Sequence, residues 1–155
     1  MTATSHPATT TATTTATTTA TTTADTARLL AGQLIEFLET GEVADGLFAP
    51  DLFTDFTPPE WRLQAHGIEG SVAIRRAGHP SPGRVPRARL DLTERGFVLE
   101  VEETWDGENG EWYCRELIRA DVTDSNISAL SIYCTGDWSP AQRARHGAEV
   151  TLLRP

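Results

Sequence analysis

Two kinds of hydrophobic spacing divide the chain. Between Asp25 and Gly41, Leu30, Leu34, Phe37 and Leu38 recur at intervals of three and four, which draws one apolar stripe along an α-helix. Asp25 or Thr26 caps its start and Gly41 ends it. A short second helix is predicted next, with Val43, Leu47 and Phe48 on one side and Pro50 closing it. The aromatic cluster of Phe53, Phe56 and Trp61 follows, interrupted by Pro58 and Pro59. Gly67 to Ala77 reads as a third helix stopped by Gly78, and HPSPGRVPR as a proline-rich loop.

The second half alternates with period two. Arg87 to Thr93, Phe97 to Trp105, Trp112 to Asp121 and Asn126 to Trp138 are strand-like, separated by the turn sequences ERG, DGENG and VTDS. Helices followed by a meander of long strands predict an α+β fold, with the N-terminal helices packed on one face of a strongly curved antiparallel sheet. A turn near Glu108 and Asn109 sets Trp105 opposite Trp112, Glu103 opposite Cys114 and Val101 opposite Glu116. A turn at Thr123 and Asp124 sets Ile118 opposite Leu130, Glu116 opposite Ile132 and Cys114 opposite Cys134. Leu99, Val101, Glu103, Trp105, Trp112, Cys114, Glu116 and Ile118 then share the face that meets the helices. Tyr113, Arg115, Arg119, Ser131 and Tyr133 share the other. A slip of one residue would exchange the two faces.

Composition narrows the partners. The chain has 155 residues and a formal charge of −9, and its 13 basic residues are all arginine. An acidic balance argues against nucleic acid, which needs a basic stripe. Arg75, Arg76, Arg84, Arg87 and Arg89 cluster, but among glycine and proline they read as a solvated loop. No apolar run reaches the length of a membrane span, so a soluble, cytoplasmic protein is expected. Residues 1–24 carry no charge and, Met1 and Pro7 apart, no apolar side chain larger than alanine, so they are read as a disordered threonine-rich tail before one domain over 25–155.

Two glutamates stand on the apolar face. A carboxylate among tryptophan, leucine and isoleucine resists ionisation, and a second carboxylate nearby resists it further. Such a group serves as an acid or base near neutral pH, and Glu116 is the stronger candidate, with Glu103 second. An arginine partner or a wet position would make either merely structural. Cys114 and Cys134 allow three readings: a cross-strand disulfide, a thiol pair, or small apolar filler. The absence of an export signal favours reduced thiols. His66, His79 and His146 fall outside the strands, with no histidine beside Cys114 and no metal-ligand spacing. Neither a phosphate loop nor a dinucleotide fingerprint is present, so no cofactor and no metal are expected.

The segments LIEFLETGEVADGLFAPDLFTDFTP and ELIRADVTDSNISALSIYCTGDW resemble the entry helix and closing hairpin of the NTF2-like superfamily. That superfamily includes SnoaL-like polyketide cyclases, ketosteroid isomerases and limonene-type epoxide hydrolases. The likeness spans roughly Asp25 to Trp138, and PEWRLQAHG and YCTGDW resemble actinobacterial members. It implies a cone-shaped fold with one pocket. The ketosteroid isomerase base falls on Phe56 and its oxyanion-hole tyrosine on Leu34, while the partner carboxylic acid has a counterpart in Glu116. The arginine of the epoxide hydrolases falls on Cys114. The acidic residue of the cyclases has three candidate stand-ins, Glu116, Glu103 and Asp137.

The expected function is therefore cofactor-independent acid/base chemistry, as in a cyclase, dehydratase or isomerase of specialised metabolism, on a hydrophobic small molecule. Glu116, Glu103 and Asp137 are the catalytic candidates. Phe56, Trp61, His66, Trp105, Trp112, Cys114, Ile118, Ile132 and Cys134 are expected to bind the substrate. The alternative is an NTF2-like pocket that binds a small molecule or a partner without catalysis. A homodimer through the Tyr113, Arg115, Ser131 and Tyr133 face is implied by the resemblance.

Overall fold

A computed structural model of the chain describes residues 12–79 and 82–154, with side chains from Thr23 onward. The elements are α1 (Ala12–Thr40), β1 (Phe48–Thr57), β2 (Leu63–His66), α2 (Gly67–Gly78), β3 (Arg84–Thr93), β4 (Gly96–Gly107), β5 (Gly110–Thr123), β6 (Asn126–Cys134) and α3 (Pro140–Glu149). One six-stranded sheet runs β2-β1-β6-β5-β4-β3. Every neighbouring pair is antiparallel except β1 and β6, which run parallel. The sheet is curved and open, and the three helices pack against it.

The helical stripe is where its spacing places it. Ala27, Leu30, Ala31, Leu34, Phe37 and Leu38 are buried, and Phe37 meets Phe48 of β1 edge-on at 5.4 Å between ring centroids. Helix α1 begins at Ala12, within the segment read as a tail; residues 1–11 lie outside the described chain. The sheet face against the helices carries Phe97, Leu99, Val101, Ile118, Ala120, Ile127 and Leu130, all buried.

The helix predicted around Val43 to Pro50 is instead a turn through Gly46, at φ +76°, leading into β1. Leu52 and Thr54 are buried while Phe53 is exposed, an alternation with period two that the aromatic cluster masked. Pro50 lies where the β1–β6 register breaks, between Phe48 and Phe53, which is where a strand tolerates proline. Strand β3 starts at Arg84, inside the expected loop, whose Pro80 and Ser81 lie outside the described residues. Strand β6 ends at Cys134 rather than Trp138. Short strand β2 and helix α3 were not foreseen; Ser139 caps α3 and Gln142 completes a capping box.

The β4–β5 register is the expected one, with Trp105 opposite Trp112, Glu103 opposite Cys114 and Val101 opposite Glu116. The β5–β6 register is displaced by two residues. Asp124 and Ser125 form the turn, both at positive φ, so Thr123 faces Asn126. A bulge between Asp121 and Val122 adds a further residue. Glu116 therefore faces Cys134 and Ile118 faces Ile132. Two single-residue displacements sum to an even number, so every side chain stays on its expected face.

Candidate functional site

A cavity opens between the helices and the concave face of the sheet. Its walls are Leu34, Phe37 and Leu38 of α1, Phe48, Thr54 and Phe56 of β1, and Ser71, Val72, Ile74, Arg75 and Gly78 of α2. Glu116 and Ile118 of β5, Leu130 and Ile132 of β6, and His79 complete it. The lining is mostly apolar, and its polar atoms are few: Thr54 Oγ1 donates to Ser71 Oγ at 2.8 Å, and Ser71 Oγ donates to the Gly67 carbonyl at 3.0 Å. The free volume is about 50 Å³, enough for a few waters and well short of a drug-sized ligand.

The two glutamates have different surroundings. Arg75 Nη2 donates to Glu103 Oε2 at 2.5 Å and Nη1 to Oε1 at 3.1 Å, while Nη2 also reaches the Leu38 carbonyl at 2.6 Å. Burial pushes the Glu103 carboxyl up, but His79 and the Arg75 guanidinium outweigh burial and hold it below the usual carboxylate range. Glu116 is only 5 % exposed and makes no ion pair among the described residues. Burial and the charge of Glu103 push its carboxyl well above the ordinary value, against the smaller opposing pull of Arg75 and His79. The two carboxyl groups are thus pushed in opposite directions, Glu103 down and Glu116 up. Environments that separate two carboxyl groups in this way set up distinct proton-donating and charge-holding roles.

His79, immediately after α2, joins this cluster. Its Nε2 lies 3.2 Å from Asp137 Oδ1, and its ring stacks on Trp105 at 4.3 Å between centroids. Its Nδ1 is buried without a hydrogen-bond partner, 3.7 Å from Glu103 Oε2, a distance at which the two interact by charge. Burial opposes the imidazolium, but Asp137 and Glu103 outweigh it and raise His79 to about 9.

Asp137 reaches His79 through a local irregularity. Glu116 pairs with Cys134, yet Tyr113 bridges Trp138, so three residues of the β6 side span two of β5. This bulge turns Trp138 outward onto Tyr113, at 5.5 Å between rings, and leaves Asp137 facing His79. Gly136, at φ +79°, supplies the turn.

The cysteines are free thiols beside Glu116: Cys134 faces it across the ladder, and Cys114 precedes it by two residues on β5. Cys114 Sγ, Cys134 Sγ and a Glu116 oxygen lie within 4.8 Å of one another, and so do donor atoms of His79, Cys114 and Asp137. Both groups are metal-capable side chains sharing Cys114, which the sequence spacing did not reveal. A cation there would have to displace the protons of Glu116 and Cys114.

Of the residues expected at the site, Glu116, Phe56, Ile118 and Ile132 line the cavity, and Glu103, Asp137, Trp105, Cys114 and Cys134 form the cluster beside it. Trp61, His66 and Trp112 are not brought there. Trp61 is 68 % exposed beyond the end of β1, and exposed His66 pairs with Phe53 at the sheet edge. Trp112 packs at the β4–β5 turn, where its Nε1 donates to the Glu108 carbonyl at 3.1 Å. Arg75 and His79 were missed. Arg75 sits in an arginine-rich run read as solvated, and Glu103 gave the only hint that a cation was needed.

The sequence matches no family model and no curated protein. Among solved structures, it is similar to an NTF2-like protein from Anabaena variabilis, with TM-score 0.62 and 17% identity over 74% of this chain and 90% of that one. The fold is NTF2-like. A proposed polyketide cyclase from Xanthomonas campestris matches with TM-score 0.56 and 15% identity over 70% of this chain and 90% of its own. An LEH-like epoxide hydrolase from M. tuberculosis matches with TM-score 0.56 and 12% identity over 72% and 84%. At these identities the NTF2-like architecture is what is shared, and the chemistry of the pocket has to be argued from its own residues.

Proposed function

We propose that the chain is a cofactor-independent acid/base enzyme acting on a small hydrophobic molecule that carries a carbonyl or comparable oxygen. The observation that carries this reading is Glu116, buried in an apolar cavity with no ion-pair partner among the described residues and its carboxyl pushed well up, beside a Glu103 held low by His79 and Arg75. A protonated carboxyl in such a setting donates a hydrogen bond, or its proton, to a substrate oxygen as negative charge develops there. His79 and Arg75 hold the Glu103 carboxyl low, and burial together with the Glu103 charge pushes Glu116 up. His79, held by Asp137, contributes a second donor at Nδ1. Cyclisation, dehydration and isomerisation all fit a donor of this kind, and specialised metabolism is the setting in which the three recur.

A non-catalytic binding pocket is the second reading. It is favoured by the saturation of Glu103, whose two oxygens are both taken by Arg75, so that no free base faces Glu116. Glu116→Gln separates the two. The substitution keeps shape and removes the proton, so it abolishes turnover under the first reading and leaves ligand affinity intact under the second. A panel of apolar ketones and unsaturated carbonyl compounds, screened for binding and then for turnover, supplies the probe.

We also infer a cytoplasmic homodimer. Among the described residues, no helix is long and apolar enough to cross a membrane. Leu117 and Tyr133, paired across β5 and β6 on the outward face, are 47 % and 61 % exposed, a patch suited to a second copy. Helix α3 already covers Tyr113 on that face, with Arg143 over its ring. Light scattering at micromolar concentration should give twice the 16.9 kDa chain mass, and a monomer mass would remove the dimer.

A further inference from the structure

The acid/base reading leaves two thiols without a task, buried Cys114 and half-buried Cys134. We propose that they form a second reactive site, a dithiol that reduces hydroperoxides, in which Cys134 attacks the peroxide and Cys114 closes the product to a disulfide. The chain holds only these two cysteines. They come from different strands, are both free, and bring their sulfurs within 4.8 Å of each other and of a Glu116 oxygen.

Their surroundings differ in the way such a division of labour needs. Cys134 is half-buried at the end of β6, and its Sγ accepts the Gly136 N–H at 3.3 Å. The Cys114 thiol, the Gly136 amide and Glu116 together lower Cys134 against the cost of its burial. Cys114 is fully buried, and its hydrogen bond to Cys134, its burial and the neighbouring carboxyl groups all keep it protonated. The pair thus loses its first proton from the less buried residue, Cys134, and the thiolate there is the nucleophile.

The steps balance with hydroperoxide as oxidant. The Cys134 thiolate attacks one peroxide oxygen, the O–O bond breaks, and the leaving hydroxide or alkoxide takes the Glu116 proton. The products are a Cys134 sulfenic acid, water or an alcohol, and a Glu116 carboxylate. Glu116 then accepts the Cys114 proton. The Cys114 thiolate attacks the sulfenic sulfur, and the departing hydroxide takes that proton as water. Sulfur has lost two electrons to the peroxide, and a small-molecule thiol restores the pair by exchange.

The register makes closure feasible and explains why the bond is not already required by the fold. Cys134 faces Glu116, so Cys114 is its diagonal neighbour rather than its partner. Diagonal Cα atoms stand about 7–8 Å apart, against about 5.5–6 Å in a disulfide, so the end of β6 must move inward by about 1–2 Å. The Thr135–Asp137 bulge follows, held to β5 by the Thr135 N–H donating to the Arg115 carbonyl at 3.0 Å and by the Tyr113–Trp138 pair, so the shift falls on the residues between them.

The test treats the reduced full-length protein with hydrogen peroxide and, separately, cumene hydroperoxide, reading free thiols and intact mass. Both thiols should disappear together with a loss of about 2 Da, at least about tenfold faster than in the urea-unfolded chain, and dithiothreitol should reverse it. Cys114→Ser should stop at one sulfenic acid, trapped by dimedone on residue 134. Cys134→Ser should leave Cys114 unreacted. Glu116→Gln, which preserves both thiols, should slow the first step several-fold. Oxidation no faster than in the unfolded chain overturns the proposal, as does a Cys134→Ser protein whose Cys114 reacts at the wild-type rate, or a disulfide that links two chains. No pocket ligand is needed, so the outcome is independent of the acid/base reading.

Discussion

Arg75 of α2 closes on both oxygens of Glu103 of β4, with contacts of 2.5 and 3.1 Å, in a place where the two side chains are only 13% and 4% exposed. A pair so buried adds little net stability when whole, because both charges have lost water, but it is costly to halve. Its wider effect is electrostatic: a fixed negative charge beside Glu116, and a cation on the cavity wall.

Glu103→Gln should therefore do two things. It strands the Arg75 guanidinium, for a loss on the order of 3–5 kcal/mol in urea denaturation. It also removes the charge that opposes Glu116 ionisation, so the Glu116 carboxyl moves down toward the ordinary range. Carboxyl-detected NMR titration checks this, and an unmoved Glu116 would show that burial alone controls it.

What could be read in advance was whatever depends on local period. The α1 stripe, the β4–β5 pairing and the face bearing Glu103 and Glu116 follow from alternation that a single chain displays. The rest depends on partners distant in sequence. Strand β1 is set by its parallel pairing with β6, and Phe53, Phe56 and Pro50 blurred its alternation. The bulges at Asp121 and beyond Cys134 leave no compositional mark, yet they decide that Glu116 faces Cys134 and that Asp137 meets His79. Arg75 looked like one arginine among five, and only the tertiary approach of α2 to β4 sets it apart.

Replacing Glu116 tests the protonation state without any substrate. A carboxyl raised by folding contributes stability that is full below its unfolded pKa, about 4.3, and is lost as pH rises toward the folded value. Glu116→Gln removes that loss. The variant and the wild type should be nearly equal at pH 4, and the variant should be more stable by on the order of 1–2 kcal/mol at pH 8. Urea midpoints across that range measure it, and equal slopes for both proteins would place a charged Glu116 in the fold.

Removing residues 1–22 should leave the melting temperature unchanged. The described core begins at Ala27, and the helical face that meets the sheet runs from there to Leu38. A fall of several degrees would show that the threonine-rich stretch docks on the domain.

Gly136→Ala should break the link between the bulge and His79. At φ +79° an alanine is strained, and its Cβ would lie 2.7 Å from Pro59 Cγ and 3.1 Å from Cδ of the same ring, so the segment must shift. A cost of about 1–3 kcal/mol is expected. Asp137 is the next residue, and its displacement removes the main support for the His79 imidazolium, which then falls from about 9 toward 6.5. A histidine raised by folding contributes stability that is complete below about 6.5 and is lost as pH rises through about 9, so wild-type stability declines over that window. In Gly136→Ala the decline should flatten. Gly41→Ala is the matched comparison, since Gly41 has φ +75° and no atom within 4 Å of an added Cβ. It should cost only the backbone strain and keep the wild-type slope. If both variants kept that slope, Asp137 would not be what holds the proton on His79.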